Sequence, residues 1–152
     1  MAQISNISHQ LQLKCSGEQF YEFYRNKMDR LTQMFPKKLL GYKIVEGNGF
    51  AHGSVVHWKY ELGCILEAKQ KLHMDDKNKA ITLEFIEGDL FKEYEMIAVK
   101  GEVSDGGSNG ISSVKWSVEY VKANEDVDPP HNYLQFALEL AKGVDAYLCN
   151  NN

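Results

Sequence analysis

Three glycines, Gly47, Gly49 and Gly53, stand between two segments that both read as strands, in the run Glu-Gly-Asn-Gly-Phe-Ala-His-Gly-Ser from Glu46 to Ser54. Glycines this close could bare backbone amides to a phosphate, the chemistry of a nucleotide loop. That chemistry also needs Lys-Ser or Lys-Thr after the last glycine and a helix behind it, whereas Gly53 is followed by Ser54 and an alternating strand. The dinucleotide spacing fails as well, because His52 stands where the third glycine of Gly-x-Gly-x-x-Gly belongs. A hairpin loop remains, which can serve as a tight turn, pack on its neighbours or gate a pocket.

Other reactive groups are sparse. There is no His-Glu-x-x-His and no Cys-His pair, so the sequence assigns no metal ligands, no thiol chemistry and no cofactor. Cys15, Cys64 and Cys149 are odd in number and far apart, which fits free thiols in a reducing compartment. The N-terminus lacks a basic segment followed by an apolar one, and no run approaches the length of a membrane span, so a cytoplasmic location is expected. A net charge of −4, with Lys and Arg scattered among Glu and Asp, argues against a nucleic-acid partner. At 152 residues with 43% hydrophobic content, one domain over residues 1–152 with a substantial core is expected.

The elements that must position any site follow from periodicity. Ile4 to Leu13 alternates loosely as a first strand, and Ser16-Gly17-Glu18-Gln19 has the form of a capping box in which Ser16 bonds the amide of Gln19. The helix that starts there puts Phe20, Phe23 and Tyr24 on one face, and a second short helix through Met28, Leu31 and Met34 is stopped by Pro36. From Tyr42 onward the period is two, with Val56, Trp58, Tyr60 and Leu62 on one face and His57, Lys59 and Glu61 on the other. Further strands are expected over Ile65 to Met74, Ile81 to Ile86, Phe91 to Val103 and Val114 to Val121. They are joined by the turns Asp75-Asp76-Lys77-Asn78, Glu87-Gly88-Asp89 and Asp105-Gly106-Gly107, and connections so short imply a meander.

Asp128-Pro129-Pro130 reads as a helix cap followed by proline at the first helical position, and no breaker follows before Gly143. A helix of roughly 20 residues, about 30 Å long, is expected. Its polar residues Asn132, Gln135, Glu139, Lys142 and Asp145 form one narrow stripe, and nearly everything else on it is apolar. Such a helix must be covered over most of its circumference, either by the concave side of a curved sheet or by a second copy in an oligomer. The first arrangement can leave a space between helix and sheet where function would live.

The order of these elements resembles that of the plant major latex proteins, within the superfamily of the birch-pollen allergen and class-ten pathogenesis-related proteins. The resemblance is carried by Glu46-Gly47-Asn48-Gly49, Phe85-Ile86-Glu87-Gly88-Asp89, Val118-Glu119-Tyr120 and Val144-Asp145-Ala146-Tyr147-Leu148, and it runs from residue 1 to residue 148. It implies an α+β helix-grip fold, in which a seven-stranded curved antiparallel sheet wraps one long C-terminal helix and two short helices lie between strands one and two. It also implies an internal apolar cavity that binds lipophilic small molecules, sterol-like, phenolic or other plant metabolites, in defence or stress responses. Oligomerisation no further than a monomer or weak homodimer is expected.

Carried over residue by residue, the resemblance puts the ligand among Val56, Trp58 and Tyr60, among Ile81, Leu83 and Phe85, and beside Trp116. On strand six the faces are ambiguous, with Tyr94, Met96 and Ala98 matching the inward face better than Ile97 and Val99. Tyr133, Phe136, Ala137, Leu140 and Val144 would line the space from the helix, while Met28, Leu31 and Met34 close one end. Gly47, Gly49, Phe50, His52 and Gly53 would form a cavity rim, with Phe50 and His52 controlling access. Some relatives carry out condensations in the same cavity, so an enzyme of specialised metabolism is the alternative, with Lys100 and Tyr94 as its candidates. The inward faces otherwise hold no general acid or base, and the set of Lys, Tyr, Glu and Asp used by norcoclaurine-synthase-like members is not matched.

Overall fold

The computed structural model describes residues 3–106 and 110–150. Seven strands form one antiparallel sheet: β1 (Ser5–Gln12), β2 (Leu39–Glu46), β3 (Val55–Glu61), β4 (Ile65–Asp75), β5 (Ala80–Gly88), β6 (Tyr94–Ser104) and β7 (Ser113–Lys122). Their spatial order is β1-β7-β6-β5-β4-β3-β2, so the meander from β2 to β7 is closed by β1, which pairs with β7. The two edge strands are consecutive in sequence, and the chain crosses between them through α1 (Gly17–Asn26), a 3₁₀ turn at Met28–Arg30 and the single turn α2 (Leu31–Met34). Helix α1 starts at the expected capping box: Ser16 Oγ accepts the Gln19 amide at 3.1 Å, and Gln19 Oε1 accepts the Ser16 amide at 3.2 Å. The turn expected at Asp105-Gly106-Gly107 runs past the described residues at Gly107.

Pairing is interrupted at four points, in three of the strand pairs. The register shifts twice between β2 and β3, once between β4 and β5 and once between β6 and β7. An extra residue in one strand sharpens local twist and curvature. The shift in β6 falls between Tyr94 and Met96, so Glu95 is the extra residue and the alternation changes phase there. Tyr94 is buried, and beyond the bulge Ile97 and Val99 take the inner face. Met96 and Ala98 are therefore turned to the outer face, which corrects the inward assignment that unbroken alternation from Tyr94 suggests.

Helix α3 (His131–Asn150) is the 20-residue element expected, although its start differs. Asp128 does not cap it: the helix begins at His131, the Leu134 amide bonds the Pro130 carbonyl, and the Asp128 carbonyl accepts the Tyr94 hydroxyl at 2.6 Å. Tyr133, Leu134, Ala137, Leu138, Leu140, Ala141 and Val144 are all buried within this one chain, so the sheet and not a second copy covers the helix. Two close approaches set its seat. A Cβ on Gly143 would overlap the Phe35 ring, so glycine lets that ring lie against the helix. A Cβ on Gly101 would sit 2.9 Å from the Trp116 indole, which lies across β6 at this position.

Asp145 belongs to the polar stripe by spacing, yet it is only 7% exposed. Its carboxylate accepts the Lys14 amide at 2.9 and 3.1 Å and the Cys15 amide at 2.9 Å, tying α3 to the corner where β1 hands over to α1. Bonds to a charged acceptor contribute about 1.5–3 kcal/mol each, and removing the carboxylate orphans two amides. Asp145→Ala is expected to lose about 3–5 kcal/mol in urea unfolding with an unchanged slope, and Asp145→Asn, which keeps an acceptor oxygen, roughly half of that.

Candidate ligand-binding cavity

Between α3 and the inner face of β3 to β6 lies a cavity of about 80 Å³. Of the expected ligand contacts, Trp58, Tyr60, Leu83, Phe85, Trp116, Tyr133, Phe136, Ala137 and Leu140 form its wall, and Met28 and Leu31 close it from the short-helix side. Val56, Ile81 and Val144 do not reach it; they are packed into solid core. Met34 is packed against the core without lining the space, Tyr94 is buried with its hydroxyl spent on Asp128, and Met96 is on the far face of the sheet. Four wall residues escaped the sequence reading: Tyr24, Leu39, Gln70 and Val99. Gln70 was legible, since it alternates with Ala68 and Leu72, both fully interior. Val99 was hidden by the Glu95 bulge.

The wall carries hydrogen-bonding groups but no charge. Tyr60 and Tyr133 join hydroxyl to hydroxyl at 2.6 Å across the space between β3 and α3. Burial pushes the Tyr133 and Tyr24 hydroxyls well above the ordinary phenol value and raises that of Tyr60, so all three stay protonated. The Tyr24 hydroxyl and the Trp58 and Trp116 Nε1–H groups are buried with no protein partner among the described residues. Gln70, 8% exposed, adds a carboxamide. The reactive candidates lie elsewhere. Lys100 alternates with Val99 and Gly101 and so projects to the outer face, and His57 pairs there with Glu67 at 3.0 Å.

The two ends of the cavity are closed by different means. At the end near α2, Lys38 Nζ meets Glu139 Oε2 at 2.6 Å and stands 5.8 Å from the centre of the half-buried Phe136 ring, strapping the β2 start to α3. The Lys38 hydrogen bond holds the Glu139 carboxyl below its ordinary value. At the glycine loop, the Phe50 ring packs 5.6 Å from Trp58 and 4.9 Å from Tyr42, behind the cavity wall. His52 does not guard the space: its Nδ1 accepts the Met74 amide at 3.0 Å, and its ring lies 6.0 Å from that of His73. Gly47, Gly49 and Gly53 all have positive φ, and the Gly53 amide bonds the Leu72 carbonyl, so the loop is stitched to β4. Nearby, Asp76 accepts the Tyr21 hydroxyl at 2.6 Å and Arg25 Nε at 3.0 Å, clasping α1 to the β4–β5 turn.

Comparison with known proteins agrees with this geometry. The model of the Pathogenesis-related protein Bet v 1 family matches residues 2–151. MLP-like protein 34 of Arabidopsis thaliana is 33% identical over 144 residues, which are 93% of this chain and 46% of that protein, so the chain spans about half of that relative. The crystal structure of ginseng major latex-like protein 151 from Panax ginseng superposes with a TM-score of 0.87 at 29% identity, covering 95% of this chain and 97% of that one. Norcoclaurine synthase from Thalictrum flavum, solved in complex with dopamine and hydroxybenzaldehyde, gives a TM-score of 0.83 at 17% identity, covering 99% and 90%, a likeness of fold. Among the described residues no helix is long and apolar enough to cross a membrane.

All three cysteines are free, and their environments differ. Burial, and then the hydrogen bond and charge of Asp145, push the Cys15 thiol from 9.0 to about 12, while Cys64 is exposed. A thiol held protonated contributes stability that is complete below its ordinary value and is lost as pH rises toward the raised one. Tyr94, pushed by burial from 10.0 to about 12, acts in the same sense. Urea-unfolding midpoints are expected to fall as pH passes about 9 and more steeply past about 10. In the folded protein at pH 8, a thiol reagent should modify Cys64 readily and Cys15 only after unfolding.

Proposed function

The chain belongs to the Pathogenesis-related protein Bet v 1 family, and on that premise we propose that the space between α3 and the sheet binds an apolar or amphipathic small molecule. One observation carries the reading: a space walled by aliphatic and aromatic side chains, three of which, Tyr24, Trp58 and Trp116, carry buried donors without a protein partner among the described residues. Native interiors pack at crystal-like density and satisfy their buried polar groups, so a place that does neither is where a guest belongs. Lys100 on the outer face and Tyr94 bonded to Asp128 leave the enzymatic alternative without its two candidates in the cavity.

Size sharpens the class of guest. The cavity of about 80 Å³ is well below the roughly 300–1,000 Å³ that holds a drug-sized ligand. A guest of one or two rings, phenolic in scale, suits it better than a sterol, which would need Phe136 and the Lys38–Glu139 strap to swing away. Burying about 200 Å² of apolar ligand surface contributes on the order of 5 kcal/mol before association costs, so affinity is expected to be micromolar with loose selectivity. We propose further that such a guest belongs to defence or stress metabolism and that the protein holds it in the cytoplasm as a monomer or weak homodimer, a reading supported by the family membership.

Ala137 faces the space from the middle of α3 and has room before it. Ala137→Phe is expected to fill the cavity and abolish binding of the uncharged fluorescent probe N-phenyl-1-naphthylamine, followed by its emission, while circular dichroism remains native. Undiminished probe binding in the folded variant would remove the cavity from the account.

A further inference from the structure

The cavity's hydrogen-bonding groups are unbalanced, and the imbalance describes its guest. An indole N–H can only donate, so Trp58 and Trp116 each present a donor with no acceptor capacity in return. The Tyr24 hydroxyl, in a residue 3% exposed, is a third unpaired donor. Between Tyr60 and Tyr133 one hydrogen is shared and the other hydroxyl hydrogen is left over. Against these stand the Gln70 carbonyl and a few hydroxyl lone pairs, and no wall residue is charged. All five tyrosine and tryptophan residues line one space, and Tyr24 and Trp116 meet edge to face at 5.6 Å.

Resting on the binding reading above, we propose that the guest is an uncharged, flat molecule bearing exposed acceptor oxygens, such as an aromatic ketone, ester or lactone, and that Tyr24, Trp58 and Trp116 select it. Charge is excluded because a carboxylate or ammonium would be buried with no counter-charge, which costs far more than the apolar contacts return. A bare hydrocarbon fits by shape yet leaves three donors orphaned, whereas a carbonyl oxygen brings the acceptor they lack. The three donor atoms are closed over, so a guest reaches them by parting the rings of Trp58, Trp116 and Tyr24. Tyr24 stands on α1, which the Tyr21 and Arg25 bonds to Asp76 hold in place, so the donor is presented from a fixed helix.

Four molecules of nearly one shape separate the possibilities: acetophenone, ethylbenzene, benzoate and 1-phenylethylammonium. Their affinities are measured by displacement of N-phenyl-1-naphthylamine from the wild-type protein, from Tyr24→Phe and from Trp58→Phe, the second variant standing in should the first not fold. Acetophenone and ethylbenzene are expected to bind and the two ions to bind at least about a hundredfold more weakly than acetophenone. In Tyr24→Phe the ratio of acetophenone to ethylbenzene affinity is expected to fall about tenfold, as for one lost hydrogen bond, while Tm holds or rises by about 2–4 °C because an unpaired buried hydroxyl is gone. Trp58→Phe, which removes one indole donor, is expected to lower that ratio in the same way, and an unchanged ratio there overturns the proposal equally. Displacement by benzoate or the ammonium as strong as by acetophenone overturns the proposal, and so does an unchanged ratio in Tyr24→Phe, the result if trapped water serves the donors. Failure of all four to displace a probe that does bind overturns the proposal alone; failure of the probe itself to bind removes the cavity reading and the proposal with it.

Discussion

The buried carboxylate of Asp145 fixes how deep α3 sits in the curve of the sheet, and the cavity follows from that depth. Its bonds to the Lys14 and Cys15 amides pin the last turns of the helix to the corner between β1 and α1. In the turn that precedes it, Ala141 and Val144 are wholly buried, and Gly143 takes the Phe35 ring against its backbone. Ala141, Gly143 and Val144 thus seat this part of α3 directly on its neighbours. The N-terminal half is held differently, at arm's length, by the paired hydroxyls of Tyr60 and Tyr133 and by Tyr94 on the Asp128 carbonyl. Tight packing at one end and polar struts at the other hold a rigid helix off the sheet, and Tyr133, Phe136, Ala137 and Leu140 line what lies beneath.

That arrangement sorts the protein's chemistry by location. The wall of the space holds neutral donors on apolar bodies, and desolvation keeps its phenols protonated. Charge is spent outside: Lys38 with Glu139 across one end, Arg25 with Asp76 near the other, and His57 with Glu67 and His73 with Glu84 on the convex face. Ion pairs this exposed contribute little to stability. Their geometric effect is larger, since two of them tie neighbouring elements together, and both loosen with salt.

Local rules reached much of this from sequence. The Ser16 and Gln19 box, the apolar circumference of α3 and the alternation of β3 follow from short-range periodicity, and of the fifteen contacts that the resemblance implied nine line the cavity. The misses share a cause, which is that they depend on partners distant in sequence. The bulge at Glu95 breaks a period-two count that has no local mark, so Met96 was placed inside and Val99 was not. Asp145 has the spacing of a solvent-facing residue, and only the approach of two amides some 130 positions away makes it a buried anchor. Asp128 before two prolines has the form of a cap, but the Tyr94 hydroxyl claims its carbonyl and the helix starts later. Whether facing aromatic side chains meet or leave room is set by their rotamers, so no pattern in the sequence fixes the cavity's volume.

The central claim is that a small guest lodges between α3 and the sheet, among the unpaired donors. A crystal structure of the protein soaked with acetophenone tests it most directly. The account predicts density for the ring between Ala137 and Phe85, with the carbonyl oxygen within hydrogen-bond distance of Tyr24, Trp58 or Trp116. Density confined to the surface, for instance in the polar groove where Glu22, Lys27 and Arg30 flank Tyr147, with the interior side chains unmoved, would contradict it.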